Sequence, residues 1–120
     1  MKIGNVNSIN IFGKGHHGYS YYNTKIGTRH PHLKFDLLKE QIEACHEMGV
    51  TAQVYFTVGW SQKDADDHPE WILKDKNGTT NKLEILKKLG PNDRLPNFTW
   101  RLLAPSNGYD EFILKQVEEI

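Results

Sequence analysis

Along the chain, stretches of two-residue alternation exchange with stripes of helical spacing. In residues 6–12, Ile9 and Ile11 fall on one side of an extended segment and Ser8 and Asn10 on the other, the period of a strand with one face on a core. Residues 35–48 change period: Phe35, Leu38, Ile42, Cys45 and Met48 share one helical stripe, as an amphipathic helix requires. Asp36 stands in its first turn, where an acid complements the helix dipole, and Gly49 stands past its end, where a left-handed cap suits glycine. Residues 50–58 alternate again, with Val50, Ala52, Val54, Phe56 and Val58 opposed to Thr51, Gln53, Tyr55 and Thr57. Strand, helix, strand predicts a βαβ unit with parallel strands and a right-handed crossover. In a barrel the apolar faces of such strands meet the outer helices, and the polar set lines the lumen.

Residues 59–80 are polar, hold Trp60 and Trp71 and contain the turn pair Asn77-Gly78; they predict a long loop with a turn of helix. Residues 82–89 can form a short amphipathic helix, and Gly90, Pro91 and Pro96 mark an irregular stretch before residues 100–103. Tyr109, Phe112, Ile113, Val117 and Ile120 then recur at helical spacing, with Asn107 as N-cap. One βαβ unit and a further helix can neither close a barrel nor cover both faces of a sheet, so the chain is expected to be a slice of a larger domain. No repeat or low-complexity tract is present.

Composition narrows the class. With 38% hydrophobic and 25% charged residues, the chain has an ordinary globular make-up, far from the signature of disorder. A formal net charge of zero with scattered cations argues against a nucleic-acid partner. The single cysteine, Cys45, sits within the helical stripe and reads as a buried core thiol, with no intrachain disulfide possible. Neither a secretion-type leader nor a run of membrane-spanning length is visible, so no membrane partner and a cytoplasmic location are expected. Without such a leader, the glycosylation-type triplets Asn77-Gly78-Thr79 and Asn97-Phe98-Thr99 are chance matches.

The densest chemistry lies in HHGYSYYNTKIGTRHPHL, residues 16–33, with four histidines and three tyrosines. Imidazole and phenol groups offer flat apolar faces with hydrogen-bonding tips, which suits polyhydroxylated ligands. The expected substrate-binding residues are His16, His17, Tyr19, Tyr21, Tyr22, His30, His32 and Trp60. Trp60 follows a strand directly and can stack on a sugar ring, whereas Trp71, in HPEW, is expected to anchor its loop. Period-two spacing sets Tyr21 and Tyr22 to opposite sides. Asp64, Asp66 and Asp67 cluster in a polar loop and are expected to be solvated surface.

The run FGKGHHGYSYYNTKIGTRHPHLKFDLLKEQIEACHEMGV, followed by VYFTVGW and HPEW, resembles the hypothetical glycosyl hydrolase six domain, a glycoside-hydrolase barrel family related to fucosidase-like and β-galactosidase-like enzymes. The resemblance implies that residues 4–120 are the second and third βα units of a (β/α)8 TIM barrel. Residues 1–120 would then be an incomplete barrel domain, with the first strand and everything from the fourth strand onward missing. It further implies cleavage of an O-glycosidic bond by two carboxylates, with no cofactor and with a carbohydrate as substrate. By analogy, an acidic residue follows the fourth strand, beyond Ile120. The remainder of the barrel in the parent chain is the other partner expected.

Two rival readings stay open. One is a non-catalytic carbohydrate-binding module; the other is a metal-dependent hydrolase using His30 and His32, whose imidazoles can converge on an ion if Pro31 keeps the segment extended. No third ligand stands at a recognisable spacing, so no metal is expected. The sequence after Ile120 discriminates enzyme from module.

Overall fold

The computed structural model describes residues 4–78, 80, 90–91, 101–105 and 108–120. Its elements in chain order are β1 (Ser8–Lys14), β2 (Tyr19–Ser20), β3 (Thr28–Arg29), α1 (Leu37–Glu47), β4 (Thr51–Phe56), α2 (Gln62–Asp67), a 3-10 turn (Pro69–Trp71) and α3 (Tyr109–Glu118). The sheet order is β3-β2-β1-β4. β1 and β4 are parallel, with Ile9 opposite Ala52 and Ile11 opposite Val54, and α1 lies between them in sequence, giving the expected βαβ connection. The His/Tyr-rich segment is more ordered than a loop reading suggests. β2 adds antiparallel to the end of β1, with Ser20 opposite Lys14, and β3 adds parallel to β2.

The alternation assigns the two faces of the sheet. Ile11, Leu38 and Tyr22 are buried together, with Ile9, Ile42, Ala52, Val54 and Phe56 packed against them. Asn10, Phe12, Gln53 and Tyr55 lie exposed on the opposite face. Asp36 caps α1 from outside the helix, its carboxylate accepting from Lys39 N, and does not belong to its first turn. At the other end Gly49, at φ 67°, lets the backbone turn left-handed, as the cap there requires. Of the predicted stripe, Leu38 and Cys45 are buried, while Phe35 and Met48 remain exposed. A second core gathers Ala65, Trp71, Ile72, Leu103, Tyr109 and Ile113 under the segment after β4.

Register breaks once. Phe12 pairs with Tyr55, yet Lys14 pairs with the next residue, Phe56, so Gly13 is an extra residue on β1. Such a bulge re-aims the side chain after it. Lys14, on the phase of Asn10 and Phe12 by strict alternation, turns instead into the interior with Phe56. Gly13 itself admits close packing: an added Cβ would lie 2.9 Å from Val54 Cγ1 and 3.3 Å from Ile120 Cδ1. The expected helix at residues 82–89, the N-cap Asn107 and the triplet at 97–99 fall outside the described residues.

Candidate functional site at the strand ends

The C-terminal ends of β1 and β4 run side by side, and the residues that follow them meet. Thr57 N donates to Lys14 O at 3.2 Å, extending the ladder past β4. Above this pair, His16 Nδ1 lies 3.5 Å from Thr57 Oγ1, and Tyr55 Oη lies 3.3 Å from His16 Nε2. Trp60 completes the group, its ring edge to face with His16 at 5.5 Å between centroids; it is 36% exposed. Thr57 Oγ1 also donates to Trp60 O at 2.8 Å, curling the chain after β4 back over the strand end. An imidazole, a phenol and an indole at one rim combine hydrogen-bonding tips with a flat apolar surface.

The loop carrying His16 is docked on the start of α2. Gln62 N donates to His16 O and Lys63 N to His17 O, each at 3.0 Å, so loop carbonyls satisfy amides of the first helical turn. Ser61 caps α2 by accepting from Asp64 N. Gly18 makes this approach possible: at φ 89°, a Cβ there would stand 2.3 Å from Ser61 Oγ.

The other expected residues divide. Tyr19, Tyr21, His30 and His32 form a separate aromatic group: Tyr21 and His30 stack at 5.8 Å, Tyr19 meets His30 edge-on at 5.7 Å, and His32 is 5.8 Å from His30. His30 Nδ1 accepts from His32 N at 3.3 Å, which holds that ring nitrogen against the backbone. Among the described residues, no three His, Cys, Asp or Glu side chains gather as a metal site would require. Tyr22 is buried under the loop, its hydroxyl donating to Gln116 O at 3.1 Å and its pKa raised by burial. His17 is exposed, with its carbonyl held by Lys63 N. Trp71, 7% exposed, stacks on His68 at 3.7 Å and packs on Tyr109 and Phe112.

One expectation is overturned. Asp66 and Asp67 are exposed, but Asp64 is 2% exposed and bonded to Lys14 Nζ at 2.6 Å. Lys14, with 0% exposed, also donates to Gln116 Oε1 at 2.9 Å and sits over the rings of Phe56 and Phe112. Burial pushes the ammonium below the usual lysine range, and the Asp64 carboxylate opposes that shift. The cue for Asp64 was Ser61 three residues earlier, the spacing of a capped helix start. Tyr55 and Thr57, also missed as site residues, stood on the polar side of the second strand.

The chain belongs to the hypothetical glycosyl hydrolase 6 family, whose model matches residues 1–120. It is similar to α-L-fucosidase isoenzyme 2 from Paenibacillus thiaminolyticus, at 35% identity and a TM-score of 0.80, over 98% of this chain and 16% of that one. The chain thus spans about a sixth of the fucosidase's length. A hypothetical protein from Ruminiclostridium thermocellum shares the fold, at 17% identity and a TM-score of 0.61, over 96% of this chain and 58% of that one. No curated protein matches. Among the described residues no helix is long and apolar enough to cross a membrane.

Proposed function

We propose that this chain supplies part of the sugar-contacting rim of a glycoside hydrolase with a (β/α)8 barrel, β1 and β4 being neighbouring barrel strands. The observation that carries the reading is the meeting of His16, Tyr55, Thr57 and Trp60 at the C-terminal ends of two parallel strands, the end of such barrels where substrates bind. Trp60 offers the stacking face. His16, whose ring nitrogens lie against Thr57 Oγ1 and Tyr55 Oη, orients the Tyr55 hydroxyl as a hydrogen-bonding tip for a sugar hydroxyl, and Tyr19, Tyr21, His30 and His32 extend the aromatic surface at the sheet edge.

Two carboxylates would perform the cleavage, one as general acid. Asp64 is unsuited to that role, because its charge is spent on Lys14 away from solvent; the pair is assigned to barrel strands beyond Ile120. Similarity to an α-L-fucosidase makes an α-L-fucoside the first substrate to try. The test is a panel of aryl glycosides, α-L-fucoside included, offered to the purified full-length protein. Release of the aryl group from at least one substrate supports the proposal. Sugar binding without any turnover favours a non-catalytic module, and absence of both rejects the reading.

A further inference from the structure

Beneath the strand-end rim lies a polar network that contact with a ligand does not explain. Lys14 stands two residues before His16 on one strand end, and Asp64 stands four after Trp60 in the segment following the other. Their side chains meet at 2.6 Å, both shut off from solvent. Gln116, from α3, closes the group at 2.9 Å from Lys14 Nζ and is itself fully buried. Gln116 packs on the backbone of the His/Tyr segment so tightly that a Cβ on Gly27 would fall 1.9 Å from its Nε2. One ammonium thus ties together the end of β1, the start of α2, the last helix and the loop over it.

Stability alone is a poor reason for such a group. Taking an ammonium and a carboxylate out of water costs about what their attraction returns, and apolar residues of similar volume often serve the fold as well. A buried ion pair does impose a fixed contact, where packed methyl groups tolerate sliding. Here the contact joins the two chain segments that carry His16 and Trp60, beside the backbone bonds from Thr57 N to Lys14 O and from Gln62 N to His16 O. The bulge at Gly13 turns Lys14 inward at the last residue of β1, two residues before His16.

We propose that Lys14 is a positioning residue for carbohydrate binding: through Asp64 and Gln116 it sets the spacing between His16 and Trp60. The inference rests on the strand-end rim being the sugar site.

The experiment replaces all three polar partners together, so that neither a lone buried charge nor an orphaned amide remains. The triple variant K14M/D64L/Q116L and the single variant D64E, which keeps the charge but lengthens the arm, are made in the full-length protein. Melting, near-ultraviolet circular dichroism and calorimetric titration with monosaccharides are recorded for each, with Trp60→Ala as a control. The expected result is a triple variant that melts near the wild type, has an altered aromatic signal and binds sugar about tenfold or more weakly, a loss of 1.4 kcal/mol or more; D64E should weaken binding in the same direction. Wild-type affinity in either folded variant would reduce the network to a structural role and overturn the proposal, as would failure of both to fold. If wild type binds sugar and Trp60→Ala does not weaken it, the assignment of the rim fails instead; no sugar binding by wild type overturns both.

Discussion

The backbone N–H of Gly59 donates to Tyr109 Oη at 3.2 Å, fixing the start of the last helix to the residue just before Trp60. Tyr109 is 1% exposed within the second core, and burial pushes its phenol up from 10.0 to about 12. Between these values the unfolded chain has released a proton that the folded chain keeps, so raising the pH favours unfolding. The stability contributed by this group is complete below pH 10 and falls away as the pH rises towards 12, by a few kcal/mol at most. Tyr109→Phe should be less stable at neutral pH, since Gly59 N loses its acceptor, and should show a flatter alkaline decline. Urea unfolding of both proteins across that window checks it. The shifts of Lys14 and Tyr22 are common to both proteins and cancel in the comparison; parallel declines would contradict the assignment.

Trp71→Ala should act on folding. Its ring fills the space between His68, Tyr109 and Phe112, and truncating a buried tryptophan costs about 3–5 kcal/mol. Chemical denaturation should show that loss, and sugar affinity under conditions where the variant is folded should be retained.

The folded core was legible in the sequence because it rests on periodicity. Ile9 and Ile11, Ala52 and Val54, and Leu38 and Cys45 face inward as their spacing dictates. The Trp71 anchor was legible on a different ground, as a large apolar ring in a polar stretch. Lys14 and Asp64 were not, because one extra residue at Gly13 inverts the phase of the strand end, and a pattern of hydrophobicity carries no register. A charge that finds its partner fifty residues away also looks, in sequence, like any surface charge. The eight expected site residues were legible as a composition and not as a geometry. Tyr22 went to the core, and the tyrosines and histidines of the sheet edge separated from His16 and Trp60.

The isolated 120-residue chain should not hydrolyse aryl glycosides, since Asp64 is paired with Lys14 away from solvent and the catalytic carboxylates are proposed to lie on other strands. Turnover that scales with purified chain and disappears in Asp64→Asn would return the chemistry to this segment.

Chelator treatment should leave the melting midpoint unchanged. A metal bound only to the folded state would add stability by mass action and withdraw it on removal. His30 Nδ1 is already engaged by His32 N, which sets that ring as part of the aromatic surface. A large drop in midpoint, with stoichiometric zinc by elemental analysis, would favour the metal-hydrolase reading.

Trp60 and His16 are proposed to form a sugar-binding rim at the strand ends. Calorimetric titration of a monosaccharide panel into full-length wild type and Trp60→Ala tests it most directly. Removing the stacking face should weaken binding by about 0.5 to 1.5 kcal/mol, on the scale of aromatic pairs, with little change in melting because the ring is partly exposed. Wild-type affinity in Trp60→Ala would contradict it, and lost affinity with unchanged stability in Trp71→Ala would move the stacking face to Trp71.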